Sequence, residues 1–96
     1  MARVLLVVRV MPTDSDVNID GLIQSITRSL PPYVKLIDVT TEPVAFGLDS
    51  ILLNVSVPEE EGVTDKVEGY LLSIDGVGEI SVEGMTRISN RSDPRS

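Results

Sequence analysis

Three places in the sequence carry side chains that could do chemistry or bind a partner: an acidic run, a single phenylalanine and a late arginine. The acidic run, Glu59, Glu60 and Glu61, could ligate a hard cation such as calcium. Calcium loops, however, alternate their ligands around a glycine, and three consecutive carboxylates do not match that spacing. The run therefore predicts a solvated loop that discourages aggregation, and not a metal site.

Phe46 is the only phenylalanine in the chain, and it lies between Pro43 and Gly47 in a segment expected to turn. One interpretation is a side chain that packs beneath a hairpin, as most large apolar side chains do. The other is an exposed anchor that enters a partner's pocket, because an aromatic ring supplies a large contact area at a modest cost in entropy. The residues alone leave both interpretations open.

Arg87 stands near the end of the last predicted strand, between Thr86 and Ile88. Taken by itself, an arginine at the end of a strand predicts only a solvated surface charge. Two glycines at positions 76 and 78 lack the G-x-x-x-x-G-K pattern of a phosphate-binding loop and predict turns. The residues at this end of the chain therefore predict no reaction by themselves.

The composition excludes several classes of function. The 96 residues include no cysteine and no histidine, so thiolate catalysis, disulfides, cysteine-ligated metals and copper transfer lack their essential side chains. A net charge of −7, with no tryptophan, two tyrosines and one phenylalanine, argues against binding nucleic acid through phosphates or stacked bases. We predict a protein that is not an enzyme and that needs no cofactor or metal.

The first ten residues, MARVLLVVRV, are apolar but do not resemble a membrane or export segment. They are too short to span a bilayer, and they lack the h-region and cleavage site of a signal peptide. We predict a soluble cytoplasmic protein that makes no contact with a membrane.

The spacing of apolar residues predicts six elements. Strands are expected at residues 3–11, 34–41, 50–57 and 77–88, and helices at 19–30 and 63–74. The first strand is apolar on both faces, which predicts a central position in a sheet. Asp16 or Asn18 is available to cap the first helix, and Thr64 the second.

The order β-α-β-β-α-β predicts an α+β, ferredoxin-like fold, in which two helices cover one face of a four-stranded antiparallel sheet. We expect one domain over residues 1–89 and a disordered polar tail over residues 90–96. In this topology the hairpin at 42–48 and the end of the fourth strand lie at opposite ends of the sheet. A strand of about eight residues separates them by roughly 25 Å.

Five segments together resemble a known family. They are RVMP at 9–12, EPVAFGL at 42–48, GVTDKVE at 62–68, IDGVGEISV at 74–82 and GMTRI at 84–88. Over residues 3–88 the chain resembles archaeal translation elongation factor 1-beta, and more distantly the exchange domain of its eukaryotic counterpart. The hairpin motif combined with the ending of the fourth strand is the most specific part of this resemblance.

The resemblance implies a guanine nucleotide exchange factor that promotes GDP release from elongation factor 1-alpha, the GTPase that delivers aminoacyl-tRNA. In the eukaryotic relative, a lysine near the C-terminus disturbs the partner's Mg²⁺ and phosphate site, and a phenylalanine in the hairpin contacts the partner. By motif position these match Arg87 and Phe46, and the adjacent Thr86, Ile88 and Gly47 are expected in the same contacts. We expect the factor itself to be a monomer.

The sequence departs from the family pattern in three places. Arg87 replaces the lysine, and a planar guanidinium differs from a compact ammonium group. The chain continues beyond Ile88, where the eukaryotic relative ends. Asp49 and Ser50 follow the hairpin motif where relatives often carry lysine.

A second hypothesis on the same fold is a regulatory module that binds a small molecule at a domain interface and self-associates. Such a module would melt at a higher temperature in the presence of its ligand, for example an amino acid, and would elute as a dimer or larger. An RNA-binding function through the sheet face lacks the aromatic residues and the positive charge that it needs.

Overall fold

The structure, a computed structural model, describes residues 2–44 and 47–88. Its elements are β1 (Arg3–Pro12), α1 (Ile19–Arg28), β2 (Lys35–Pro43), β3 (Asp49–Pro58), α2 (Val63–Leu72) and β4 (Val77–Ile88). Their order is the predicted β-α-β-β-α-β. The two helices end about one half-turn earlier than their apolar stripes predict, because Leu30 and Ile74 pack on the core from the connections that follow. The expected tail at residues 90–96 lies outside the described residues.

The first strand is central, as predicted. The strand order is β2-β3-β1-β4, and each neighbouring pair is antiparallel. The residues of β1 alternate between a buried face and a half-buried face. The buried face carries Val4, Leu6, Val8 and Val10, followed by Pro12 at the end of the strand. A strand between two hydrogen-bonded neighbours needs apolar side chains on the covered face and tolerates them on the other.

Both helices pack on the same face of the sheet. Leu22 and Ile26 of α1 and Val67 and Leu71 of α2 join the buried side chains of β1 and β3 in one apolar cluster. The opposite face of the sheet carries no helix among the described residues. The fold is therefore the ferredoxin-like α+β arrangement that the sequence predicts. No helix in the described ranges is long and apolar enough to cross a membrane.

The second strand lies at the edge of the sheet, and this explains its imperfect alternation in the sequence. Every residue of β2 is exposed except Val39, which is half-buried. The pairing with β3 shifts between Leu36 and Asp38, so that Ile37 is an extra residue in the strand. An edge strand covers little core, and its side chains are therefore less constrained to alternate.

The helix caps agree with the sequence for α1 but not for α2. The side chain of Asn18 accepts a hydrogen bond from the backbone N–H of Gly21 at 2.9 Å, so Asn18 is the N-cap of α1. The prediction that Thr64 caps α2 is wrong. The N-cap is Gly62, whose φ of +81° lies in the left-handed region. Glycine adopts this conformation without a steric penalty, and the helix begins before Thr64.

Tyr70 joins the two helices, and its replacement by phenylalanine is expected to lower stability. The Tyr70 hydroxyl of α2 donates a hydrogen bond of 2.5 Å to the carbonyl oxygen of Ile26, in the last turn of α1. The carbonyls of a last helical turn lack partners within the helix. We expect Tyr70→Phe to lower the free energy of unfolding by about 1 kcal/mol in urea titrations. An unchanged free energy would contradict this role, and Tyr33→Phe is the matched control.

The same hydroxyl predicts a dependence of stability on alkaline pH. Burial raises the pKa of Tyr70, while a hydrogen bond with Ser29 opposes the increase. The stabilisation is therefore fully present below the unfolded pKa of about 10 and is lost as the pH rises through the folded pKa. In urea titrations at increasing pH, the free energy of unfolding of Tyr70→Phe should therefore fall less at alkaline pH than that of the unmodified protein.

Candidate partner-binding site at the two ends of the sheet

The strand register places the base of the hairpin and Arg87 at opposite ends of the sheet. At the hairpin end, Pro43 pairs with Asp49, and β1 reaches this level at Pro12. At the other end, called here the Arg87 end, Arg87 pairs with Val4. Eight residues of β1 separate the two levels, which corresponds to about 27 Å. The predicted separation of the hairpin from the end of the fourth strand is confirmed.

The loop at the hairpin end is closed by its own backbone. The N–H of Val44 donates to the carbonyl oxygen of Leu48 at 2.8 Å. Gly47 is exposed and has a φ of +76°, a conformation that other residues rarely adopt. Phe46 lies outside the described residues. Its two interpretations, as a plug or as an anchor, stay predictions.

Arg9 links four strands at the hairpin end. Its guanidinium lies 2.8 Å from a carboxylate oxygen of Glu42 on β2 and 3.5 Å from one of Glu83 on β4. It also donates a hydrogen bond of 2.7 Å to the hydroxyl of Ser50 on β3. The hydrogen bond to Glu42 raises the pKa of Arg9 against the opposing effect of burial, and Glu83 adds to the increase. The side chain is only 22% exposed, so this cation holds the base of the hairpin and does not project from it.

Ser50 is fully buried beneath this cluster. Its hydroxyl accepts from Arg9 and donates to the backbone carbonyl of Glu42 at 3.1 Å. Of the two residues that follow the hairpin motif, Ser50 is therefore a structural residue, whereas Asp49 is exposed at the surface.

A second arginine of β1 performs a similar role at the Arg87 end. The Nε of Arg3 donates to the hydroxyl of Ser56 at 2.7 Å, and its guanidinium also donates to the carbonyl oxygens of Ser56 and Tyr33. These bonds tie the chain that enters β2 to the central strands. Arg3 and Arg9 thus use the helix-free face of β1 to fix both ends of the sheet.

Arg87 lies on the helix-covered side of the sheet, because it pairs with the buried Val4. Its side chain is 73% exposed and forms an ion pair with the carboxylate of Glu59, just beyond β3. Thr86 is exposed and pairs with Leu5, so it lies on the helix-free side. The backbone of Ile88 pairs with Arg3 at the end of the sheet. The strand alternation therefore separates Thr86 from Arg87.

Two residues of the acidic run, Glu59 and Glu60, make contacts with other parts of the chain. The backbone N–H of Glu59 donates to the carbonyl oxygen of Ala2 at 3.0 Å, and its side chain is only 34% exposed. Glu60 lies 3.5 Å from the ammonium group of Lys66. Glu59, Glu60 and Glu61 all retain solvent exposure, which agrees with the prediction of a solvated loop, and the end of β3 brings Glu59 next to Arg87.

A cavity of about 230 Å³ opens beside this ion pair, at the N-terminal end of α2. Its walls include Val4, Val63 and the exposed Met85, and Glu59 lines it. Within residues 2–44 and 47–88, no three histidine, cysteine, aspartate or glutamate side chains are grouped to hold a metal ion. The Arg87 end therefore offers an exposed cation, an exposed methionine and a concave surface.

Similarity to known proteins covers nearly the whole chain that forms the sheet. The model of the EF-1 guanine nucleotide exchange domain matches residues 5–88. The chain belongs to this exchange-domain family. Elongation factor 1-beta of Hyperthermus butylicus is 44% identical over 90 residues, covering 93% of this chain and 98% of the relative. That of Saccharolobus solfataricus is 43% identical over 89 residues, covering 92% and 98%. The resemblance drawn from the five sequence segments is confirmed.

Sequence reasoning missed two features of this family member: the Arg9 cluster and the contact between Glu59 and Arg87. A signal for the first was present, since Arg9 interrupts an apolar strand and an arginine there needs acidic partners. The identity of those partners depends on the register of three strand pairs. The second joins residues 28 positions apart and had no sequence signal.

Proposed function

We propose that this protein promotes the exchange of GDP for GTP on elongation factor 1-alpha, by binding that GTPase and disturbing its Mg²⁺ and phosphate site. The observation that carries the proposal is the family match from residue 5 to residue 88, which includes both the hairpin and Arg87. The full-length similarity to archaeal proteins named elongation factor 1-beta supports the same partner. Exchange makes and breaks no covalent bond, so it requires no nucleophile or acid–base group.

The hairpin end and the Arg87 end have different roles in this mechanism. Guanine nucleotides are held on such GTPases largely through Mg²⁺ and a phosphate-binding loop. The guanidinium of Arg87, brought near that site, repels the metal and competes for its ligands. We assign binding of the partner at the other end to Phe46, which belongs by sequence to the hairpin whose paired ends, Pro43 and Asp49, lie about 27 Å from Arg87 along the sheet. Because the sheet joins its two ends, binding of the hairpin to the partner also fixes where the Arg87 guanidinium lies on the partner.

The energetics of exchange define what the interface has to supply. Weakening nucleotide binding a thousandfold requires a coupling free energy of about 4 kcal/mol. Because coupling is reciprocal, a factor that weakens nucleotide binding a thousandfold also binds the nucleotide-free GTPase a thousandfold more tightly than the GDP-bound form. A preorganised surface helps, since little of the binding energy is spent on ordering the factor. The hydrogen bonds that Arg3 and Arg9 form with neighbouring strands hold the two ends of the sheet in place before the partner binds.

The test is the release of fluorescent GDP from the cognate elongation factor 1-alpha, measured with excess unlabelled nucleotide. We expect micromolar protein to accelerate release by at least about tenfold, and removal of Mg²⁺ by a chelator to set the upper limit of the rate. No acceleration at micromolar concentrations would overturn the proposal. A melting temperature raised by an amino acid, together with elution as a dimer, would instead favour a regulatory module.

A further inference from the structure

We propose that Glu59 is a positioning residue that restrains the Arg87 guanidinium in the free protein and releases it when the partner docks. The inference rests on the proposed function, and it assigns a role to the acidic loop in that function. Its basis is the ion pair between the Glu59 carboxylate and the Arg87 guanidinium, formed across the ends of two strands that are not neighbours in the sheet.

Glu59 is the fixed member of the pair. It follows the last residue of β3, its backbone N–H is bonded to Ala2, and only about a third of its side chain is exposed. Arg87 is the more exposed member, since 73% of its side chain is accessible to solvent. A long exposed side chain samples many rotamers, and one contact with a fixed carboxylate restricts them. The pair therefore favours one direction of the cation before the partner arrives.

The charge of the pair opposes the action proposed for Arg87. A guanidinium repels Mg²⁺, but a carboxylate in contact with it attracts the metal and offsets that repulsion. The Arg87 guanidinium repels the metal ion fully only after its ion pair with Glu59 has broken. Exposed ion pairs are weak, so docking can break this one without a large penalty. Glu59 also lines the open cavity beside the pair, which leaves room for the released carboxylate to turn.

The test compares two variants that change the charge equally. Glu59→Gln removes the carboxylate that holds Arg87. Glu60→Gln removes the neighbouring carboxylate, whose contact is with Lys66. Because an exposed ion pair shifts an equilibrium by about fivefold at most, we expect Glu59→Gln to raise kcat/KM for GDP release by roughly twofold to fivefold. Glu60→Gln should leave kcat/KM unchanged, which controls for the change in net charge.

Two further measurements separate restraint from a general effect on structure. In a protein that carries Arg87→Ala, Glu59→Gln should no longer change kcat/KM, because the two residues act as one unit. In nuclear magnetic resonance spectra of the free protein, Glu59→Gln should shift the Nε resonance of Arg87, whereas Glu60→Gln should not. The spectra need no GTPase, so they test the contact independently of exchange.

Several outcomes would overturn the inference. These are an unchanged or lowered kcat/KM in Glu59→Gln, an equal effect of Glu60→Gln, or an increase that persists without Arg87. If the unmodified protein accelerates GDP release and Glu59→Gln does not differ from it, the inference fails while the proposed function stands. If the unmodified protein gives no acceleration, both fail.

Discussion

Replacing Arg87 by alanine is expected to slow GDP release from elongation factor 1-alpha by about 100-fold at saturating factor, which corresponds to about 2.7 kcal/mol. The proposed mechanism uses the guanidinium only to loosen Mg²⁺ and the phosphates, so its loss lowers the coupling between factor and nucleotide. Binding of the factor to the GDP-bound GTPase should change by less than about threefold, since a solvent-exposed charge adds little affinity by itself. The side chain is largely exposed, and its removal leaves the core intact.

The measurement is stopped-flow release of fluorescent GDP over a range of factor concentrations, so that kcat and KM are obtained separately. Arg87→Lys keeps the charge and should recover activity to within about tenfold of the unmodified protein, because a point-like ammonium group also repels a metal. Arg28→Ala removes another exposed arginine, from the last turn of α1, and should leave kcat unchanged. Full-speed exchange by Arg87→Ala would contradict the assigned role of the cation.

Replacing Phe46 by alanine is expected to raise the KM of the factor for elongation factor 1-alpha by about 30-fold, with kcat changed less than about twofold. Aromatic anchors that fill a partner's pocket commonly contribute 2 kcal/mol or more, and about 2 kcal/mol corresponds to the stated change. In the sequence Phe46 lies between β2 and β3, and the paired ends of that hairpin, Pro43 and Asp49, lie at the opposite end of the sheet from Arg87. The substitution should therefore change KM, which reflects binding of the partner, and not kcat, which reflects release of the nucleotide.

This experiment also decides between the two interpretations that the sequence leaves open. If Phe46 instead packs beneath the hairpin, Phe46→Ala lowers the melting temperature and leaves KM close to that of the unmodified protein. Phe46→Leu, which keeps most of the apolar volume, should lose less affinity than alanine. Leu72→Ala, at an exposed apolar residue in α2, is the matched control and should leave KM unchanged.

Most of the fold was predictable from the sequence because its elements depend on local spacing. The alternation of Val4, Leu6, Val8 and Val10 with a second apolar face required a central strand, and the structure places β1 there. The apolar stripes of the two helices required both helices to cover the same face of the sheet. The positions of Arg87 and of the hairpin at opposite ends followed from topology alone. The cap of α2 was predicted wrongly because Gly62, in a left-handed conformation, occupies the N-cap position in place of Thr64, a residue type that commonly caps helices.

The sequence by itself determined the element order, the central strand and the family to which the chain belongs, because side-chain periodicity and contiguous motifs are properties of neighbouring residues. Only the tertiary structure decided which charges meet. Arg9 reaches Ser50 across 41 positions, and Arg87 reaches Glu59 across 28. Such contacts depend on strand register and on the face toward which each residue points. A shift of one residue in register would turn the side chains to the opposite face and break these contacts, which no local pattern records.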